Sequence, residues 1–525
     1  MADPHRIEGS RLPRSCDEGL SAFVRRIVVI ACVLSLVAAA CGGGTESTPV
    51  TTSPPLPPPP PPSPAQVIDG SVYLRSDTIA YPPAFTPTTP LANAQVSLSG
   101  VSTTTAANGA FALQVNIAAI NDFVPLTVST PGQIPSVHPW RHAELGQPVA
   151  VGLYPEVAVT PRPAFAKGII LMDAGGWMPA WYQAGSAFST IDRARDVAGA
   201  NLAAYVDQFQ VTDINLTSNA VTITPEVWNG YQMGTRQHYE ELVGRARGRG
   251  MQFMMLLSLF PSGPAASVYS TLGTIPVSNI AFWDAYFGAW QARVLEKTAI
   301  ARDLNIEYVT IGMNLGYLSR LEPARWRALV TAIRAQGYSG KLAYFGNAAT
   351  TRGFYELADK SPEFLELFDL IGVGISNGIQ ASPGDILDKA QSRARMRTDL
   401  GTLLDRVRAK LGALPINIVV ILSTPSVHGG VSTQEYIEPA LGTSSIALQR
   451  TRDYQQQADL YQAAAEVINA SPLGNGRVMG LLSWGYTWTN DLTFGNSLNT
   501  AAFDRSANVR GKPAEAVLKW WFERW

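Results

Sequence analysis

After residue 41 the chain contains no cysteine. Cys16, Cys32 and Cys41 are its whole complement, so no disulfide and no cysteine-ligated metal site can be built further along. Histidine is nearly as scarce, with five in 525 residues and no HExxH motif. Charge is also sparse: 15% of residues are charged and the formal net charge is -1. That balance leaves no electrostatic footprint for nucleic acid or an anionic membrane surface. Neither metal nor cofactor is expected, and a neutral partner suits the composition. At this length the prior is two folded units plus appendages.

The N-terminus carries one apolar run. Arg25 and Arg26 precede Ile27 to Ala40, a stretch too short for a mature membrane-spanning helix but of the length of a signal-peptide core. It ends in Ala38-Ala39-Ala40-Cys41-Gly42, which resembles the lipobox of bacterial lipoproteins. The resemblance implies that residues 1–40 are a signal peptide, that Cys41 is lipidated and that the mature chain is exported and membrane-anchored, in the periplasm or at the cell surface. Residues 41–65 are rich in Gly, Ser, Thr and Pro, with Pro57 to Pro62 unbroken. Such a stretch buries no core and extends as polyproline II at roughly 3 Å per residue, which reads as a stalk.

Residues 66–155 alternate over short runs, as in Ala110-Phe111-Ala112-Leu113-Gln114-Val115, and Asn108-Gly109 gives a hairpin cue. A small antiparallel β-sandwich is expected. The succession Gly70-Ser71-Val72, Pro90-Leu91-Ala92-Asn93-Ala94-Gln95-Val96 and Asn108-Gly109-Ala110-Phe111 resembles the carboxypeptidase regulatory-like domain. No acid-base or metal constellation falls in it, so it reads as a spacer or docking module. Thr160-Pro161-Arg162-Pro163 reads as an interdomain linker, beyond which the remaining chain is expected to fold by itself.

Residues 166–525 alternate strand-like runs with amphipathic stretches. Eight strand candidates are Gly168 to Met172, Leu202 to Val206, Gln252 to Leu257, Tyr308 to Ile311, Lys341 to Phe345, Leu370 to Ile375, Asn417 to Leu422 and Val478 to Trp484. Helical spacing is clearest in Trp283, Phe287, Trp290 and Val294 and over Ile386 to Leu411. Eight such units predict an α/β fold, a (β/α)8 TIM barrel. The alternative, a doubly wound sheet, lacks a Gly-rich phosphate loop after its first strand.

In this fold ligands meet the loops after the strands. Aromatic residues collect there: Trp177, Trp181, Phe209, Tyr317, Trp484, Tyr486 and Trp488. Flat rings complement the C–H faces of sugars, and amides such as Asn314 satisfy hydroxyls, so a polysaccharide or oligosaccharide is the expected partner. The order of Phe282-Trp283-Asp284-Ala285-Tyr286, Ile311-Gly312-Met313-Asn314-Leu315, Tyr338-Ser339-Gly340-Lys341-Leu342 and Arg510-Gly511-Lys512-Pro513-Ala514-Glu515 resembles the β-mannanase-type barrels of glycoside hydrolase clan A, family 113 in particular and endo-galactanases more loosely. The resemblance implies a retaining glycosidase with glutamates after strands four and seven. Here Asn314 occupies the first position, and Val419-Val420-Ile421-Leu422-Ser423-Thr424 carries no carboxylate at the second. An amide cannot donate a proton as a carboxylic acid does. Asp173, Asp207 and Asp491, at or after strands one, two and eight, are the remaining candidates for catalysis along one rim, since glycosidic cleavage needs two carboxyl groups about 5–9.5 Å apart. Two functions stay open: a glycosidase with relocated carboxylates, and a barrel that binds polysaccharide without cleaving it.

Overall fold

Among the described residues between Gln66 and Pro155 the alternating runs form eight strands: β1 (Gln66–Leu74), β2 (Gln95–Leu98), β3 (Val101–Thr104), β4 (Ala110–Val115), β5 (Val124–Ser129), β6 (Gln133–Ile134), β7 (Ser136–Trp140) and β8 (Val149–Pro155). They make two four-stranded sheets, β4-β1-β8-β6 and β3-β2-β5-β7. Period-two alternation turns Val96, Leu98, Phe111, Leu113, Leu126 and Val128 into one core shared by both sheets. Two details differ from the expectation. β1 and β8 pair in parallel, so the arrangement is not wholly antiparallel. Asn108-Gly109 does not close a hairpin, because β3 pairs with β2 and β4 with β1, and the chain changes sheets at this turn. Gly109 is needed there: its φ is +75°, and a Cβ would collide with the Val72 carbonyl.

The computed structural model describes residues 65–75, 89–116, 124–141, 144–171, 186–228, 231–232, 234–259, 272, 274–276, 278–313, 315, 318, 323–346, 360–376, 389–424, 426–428, 452–484, 486 and 507–525. The signal-peptide, Cys41 and stalk readings fall outside these residues.

From Ala166 onward eight parallel strands close on themselves: β9 (Ala166–Leu171), β10 (Leu202–Asn215), β14 (Gln252–Leu259), β15 (Tyr308–Met313), β16 (Lys341–Gly346), β17 (Leu370–Ser376), β18 (Asn417–Ser423) and β19 (Val478–Trp484). Pairing of β19 with β9 and of β9 with β10 completes the circle, so the barrel expectation holds. β10 outruns the barrel and folds back on β11 (Ala220–Pro225) as an antiparallel arm, followed by the short pair β12 (Val227–Trp228) and β13 (Tyr231–Gln232).

The helices outside are α1 (Ser186–Asp196), α2 (Arg236–Gly248), α3 (Ile280–Asp303), α4 (Pro323–Ala335), α5 (Pro362–Leu365), α6 (Lys389–Leu411), α7 (Tyr454–Ala470) and α8 (Pro513–Arg524). Polar residues at the N-caps start several of them. Thr235, Asn279 and Asp453 accept from the backbone N–H groups of His238, Phe282 and Gln456, satisfying donors a helix start leaves unpaired. In α3, Phe282, Trp283, Tyr286, Phe287, Trp290 and Val294 are buried, so this helix is held by tertiary packing.

Strand parity separates two cores. Ile169, Tyr205, Phe253, Val309, Tyr344, Val420 and Leu481 face the helices. Ile170, Val206, Met254, Leu256, Phe345, Val419, Ile421 and Leu482 fill the barrel interior.

The segment expected as a linker is held by hydrogen bonds. Arg162 is 3% exposed and donates to the carbonyls of Ile468, of Asn469 at 3.2 Å, of Ser471 at 2.6 Å and of Val478 at 3.2 Å. A guanidinium set on the C-terminal carbonyls of α7 satisfies acceptors that the helix cannot and offsets its dipole. Thr160 N–H also donates to Asn469 Oδ1 at 2.8 Å. The connection is therefore clamped, and both sheets and the barrel belong to one compact unit, Ser63–Trp525.

Candidate functional site

The mouth of the barrel is defined by the last inward residue of each strand. On β18 the parity that turns Val419 and Ile421 inward also turns Ser423 inward. On β19 it turns Leu482 and then Trp484 inward, and Trp484 lies half-buried on the interior cluster, opposite Ile170 of β9. On β10 and β14 the corresponding residues are Gln208 and Ser258. Among the described residues, the inward positions of these strand ends therefore carry hydroxyls, an amide, aliphatic groups and one indole, and no carboxylate.

Two buried hydroxyls fix this rim from behind. Tyr461 of α7 donates to the Leu422 carbonyl at 3.2 Å and shares a 2.8 Å hydrogen bond with Ser483, tying β18 to β19 immediately behind Ser423 and Trp484. Burial raises the Tyr461 phenol above its ordinary range, which keeps it a neutral donor. Gln457 of the same helix donates to the Thr424 carbonyl at 2.7 Å.

Three candidates turn out to lie behind the barrel wall. Asp207 is 2% exposed and points outward, where Lys297 Nζ of α3 lies 3.0 Å from its Oδ2 and Tyr239 OH of α2 donates to it at 2.9 Å. Burial pushes its carboxyl above the usual aspartate range, while the ammonium and the hydrogen bonds pull it back. Gly234 crosses this carboxylate closely enough that a Cβ would collide with it, and Lys297 also donates to the Gly234 carbonyl. The arrangement ties β10 to two helices and offers no face to a ligand at the mouth. Phe209 is fully buried on the same outer face, edge-on to Trp290 with centroids 5.8 Å apart. It is a core residue and not a stacking platform.

Tyr486 is likewise fully buried. By strict alternation it would share the inner face with Trp484, but β19 ends at Trp484 and Tyr486 turns its hydroxyl to Glu515 of α8. Burial and the neighbouring Glu515 charge push its phenol well above the ordinary range. Glu515 in turn pairs with Arg193 of α1 at 2.7 Å.

Asp173, Trp177, Trp181, Asn314, Tyr317, Trp488 and Asp491 lie outside the described residues. Of the residues proposed from sequence, Trp484 alone is described and faces the mouth. Ser423 and the supporting Tyr461 and Gln457 were not singled out as site residues. Parity along Val419, Ile421 and Ser423 would have found the first; nothing local marks the other two.

No family model matches the sequence and no curated protein matches it. Among solved structures, a GH113 β-1,4-mannanase is similar with a TM-score of 0.49 at 17% identity, over 68% of this chain and 99% of that one. The GH113 β-mannanase of Alicyclobacillus acidocaldarius, in complex with ManMIm, gives 0.46 at 16%, over 68% and 97%. Xylanase 10B of Thermotoga maritima gives 0.38 at 11%, over 70% and 98%. These values lie below 0.5, and the barrel stands on its own strand order and register.

Proposed function

We propose that the chain is an exported, lipid-tethered barrel of glycoside-hydrolase type that binds a neutral polysaccharide or oligosaccharide without the usual glutamate pair. The observation that supports this reading is the placement of Ser423 and Trp484 at the inward ends of two adjacent strands: a hydroxyl on one and a partly buried indole on the other, with no carboxylate at the end of strand seven. An aromatic face takes the C–H side of a sugar ring, and an adjacent hydroxyl takes one of its oxygens. With Asp207 held behind the wall, the trio of relocated carboxylates loses its middle member.

The test is calorimetry of the full chain against mannans, galactans and glucans, with chromatography of the same mixtures for products. Binding without products, and a loss of roughly 1–3 kcal/mol for Trp484→Ala on the scale of a stacking contact, is the expected outcome. A wild-type protein that binds none of these polymers sinks the reading for them.

One observation favours a hydrolytic second reading. β9 and β19 are paired, so the segments carrying Asp173 and Asp491 follow neighbouring strand ends. Loss of cleavage with binding retained in Asp173→Asn or Asp491→Asn would support it. Absence of cleavage in the wild type would remove it.

A further inference from the structure

Helix α7 is unusual for its composition. It opens Tyr454-Gln455-Gln456-Gln457-Ala458-Asp459, yet Gln456, Gln457, Asp459 and Gln462 are all at most 1% exposed. A polar helix can be buried only if both of its sides find hydrogen-bonding partners. Residues two apart on a helix lie about 200° apart, so Gln455 with Asp459 and Gln457 with Tyr461 form opposite stripes.

The second stripe holds the carbonyls of Thr424 and Leu422, as described above. The first faces the two small sheets. Arg75, directly after β1, donates through Nε to Asp459 Oδ1 at 3.1 Å and through Nη2 to Oδ2, a two-pronged pair with both side chains at most 1% exposed. Tyr154 OH of β8 donates to Asp459 Oδ1 at 2.5 Å, and Gln455 Nε2 donates to Tyr154 OH at 2.7 Å. Gly152 makes the crossing possible, since a Cβ there would collide with the Arg75 side chain. At the start of α7, Glu144 pairs with Arg452, and the His138 ring stands edge-on to Tyr454 at 5.8 Å. Asp453 N–H donates to the Ser426 carbonyl at 2.8 Å, and Lys512 Nζ donates to Ser426 Oγ at 2.7 Å.

We infer that Arg75 is a positioning residue of the barrel mouth: through Asp459 and the body of α7, the N-terminal sheets hold the ends of β18 and β19, and with them Ser423 and Trp484, in place. The sheets are thus the outer wall of the site and not a spacer. The binding part of this inference rests on the sugar reading; the mechanical part does not.

The test uses the full chain and two mild variants, Arg75→Lys, which keeps the charge and loses the fork, and Tyr154→Phe, which removes one hydroxyl. Native-state hydrogen exchange is read in 417–424 and 478–484 and compared with 252–259 across the barrel. Local openings are reported separately by such exchange, so positioning predicts about tenfold faster exchange in the first two segments relative to the third. It also predicts weaker binding of whichever glycan the wild type takes, with affinity in Arg75→Lys falling more than in a Lys519→Gln surface control. Equal acceleration everywhere, as from general destabilisation, overturns the inference, and so does unchanged exchange. Selective acceleration with unchanged glycan affinity also overturns it. Selective acceleration in a protein whose wild type binds no mannan, galactan or glucan supports the mechanical coupling and refutes the sugar reading.

Discussion

Replacing Asp207 separates a structural carboxylate from a ligand-facing one. In Asp207→Ala the Lys297 ammonium stays 1% exposed, 5.4 Å above the Phe209 ring and 5.8 Å above the Tyr239 ring, and keeps the Gly234 carbonyl as an oxygen partner. Tyr239 also loses the acceptor at 2.9 Å. Breaking one side of a buried pair costs about 3–5 kcal/mol, because the other charge is left without compensation. The double variant Asp207→Leu with Lys297→Met removes both charges and fills the space with apolar groups, so it is expected close to the native stability or above it. Asp207→Leu and Lys297→Met, each alone, form with that double a non-additive cycle. Urea unfolding followed by tryptophan fluorescence supplies the stabilities, and glycan calorimetry on the folded single variant supplies the control. Asp207→Ala with an unshifted urea midpoint but abolished glycan binding would refute the reasoning, since it would put this carboxylate on the ligand.

Glu144 provides a pH-dependent counterpart. Burial works against its carboxylate, but the hydrogen bond from His138 and the Arg452 guanidinium outweigh burial and hold it below the ordinary glutamate range. A depressed acid contributes stability above its unfolded value, near 4.5, and loses that contribution as pH falls through the folded value, so the urea-midpoint gap between wild type and Glu144→Gln should be full at neutral pH and close on acidification; a gap independent of pH argues against the pairing. Gly109→Ala combines a positive φ of +75° with a collision against the Val72 carbonyl, so thermal unfolding should show a loss of about 1–3 kcal/mol; a neutral effect would contradict the turn geometry. Cys41→Ser is expected to move the protein from membranes to the soluble fraction on cell fractionation, and unchanged membrane association would argue against lipidation.

The eight barrel strands were legible as short β-branched runs between helical stretches, and β19 spans Val478–Trp484 as the sequence suggests. Periodicity sufficed because strand and helix differ in the spacing of their apolar residues, which is a local property. It did not reveal which way Asp207 and Phe209 point. A parallel strand buried on both faces reads Leu202-Ala203-Ala204-Tyr205-Val206, apolar at every position, and so carries no phase to separate inside from outside. The end of β19 decided Tyr486, because parity lapses where the strand stops. The polar opening of α7 reads in isolation as a solvated face; it is buried because Arg75, 384 residues from Asp459 in the chain, completes it. Hydrophobic spacing is written within a dozen residues, whereas a partner for a buried charge can come from anywhere in the chain, so the barrel was readable from sequence and the wall that supports its mouth was settled only by tertiary structure.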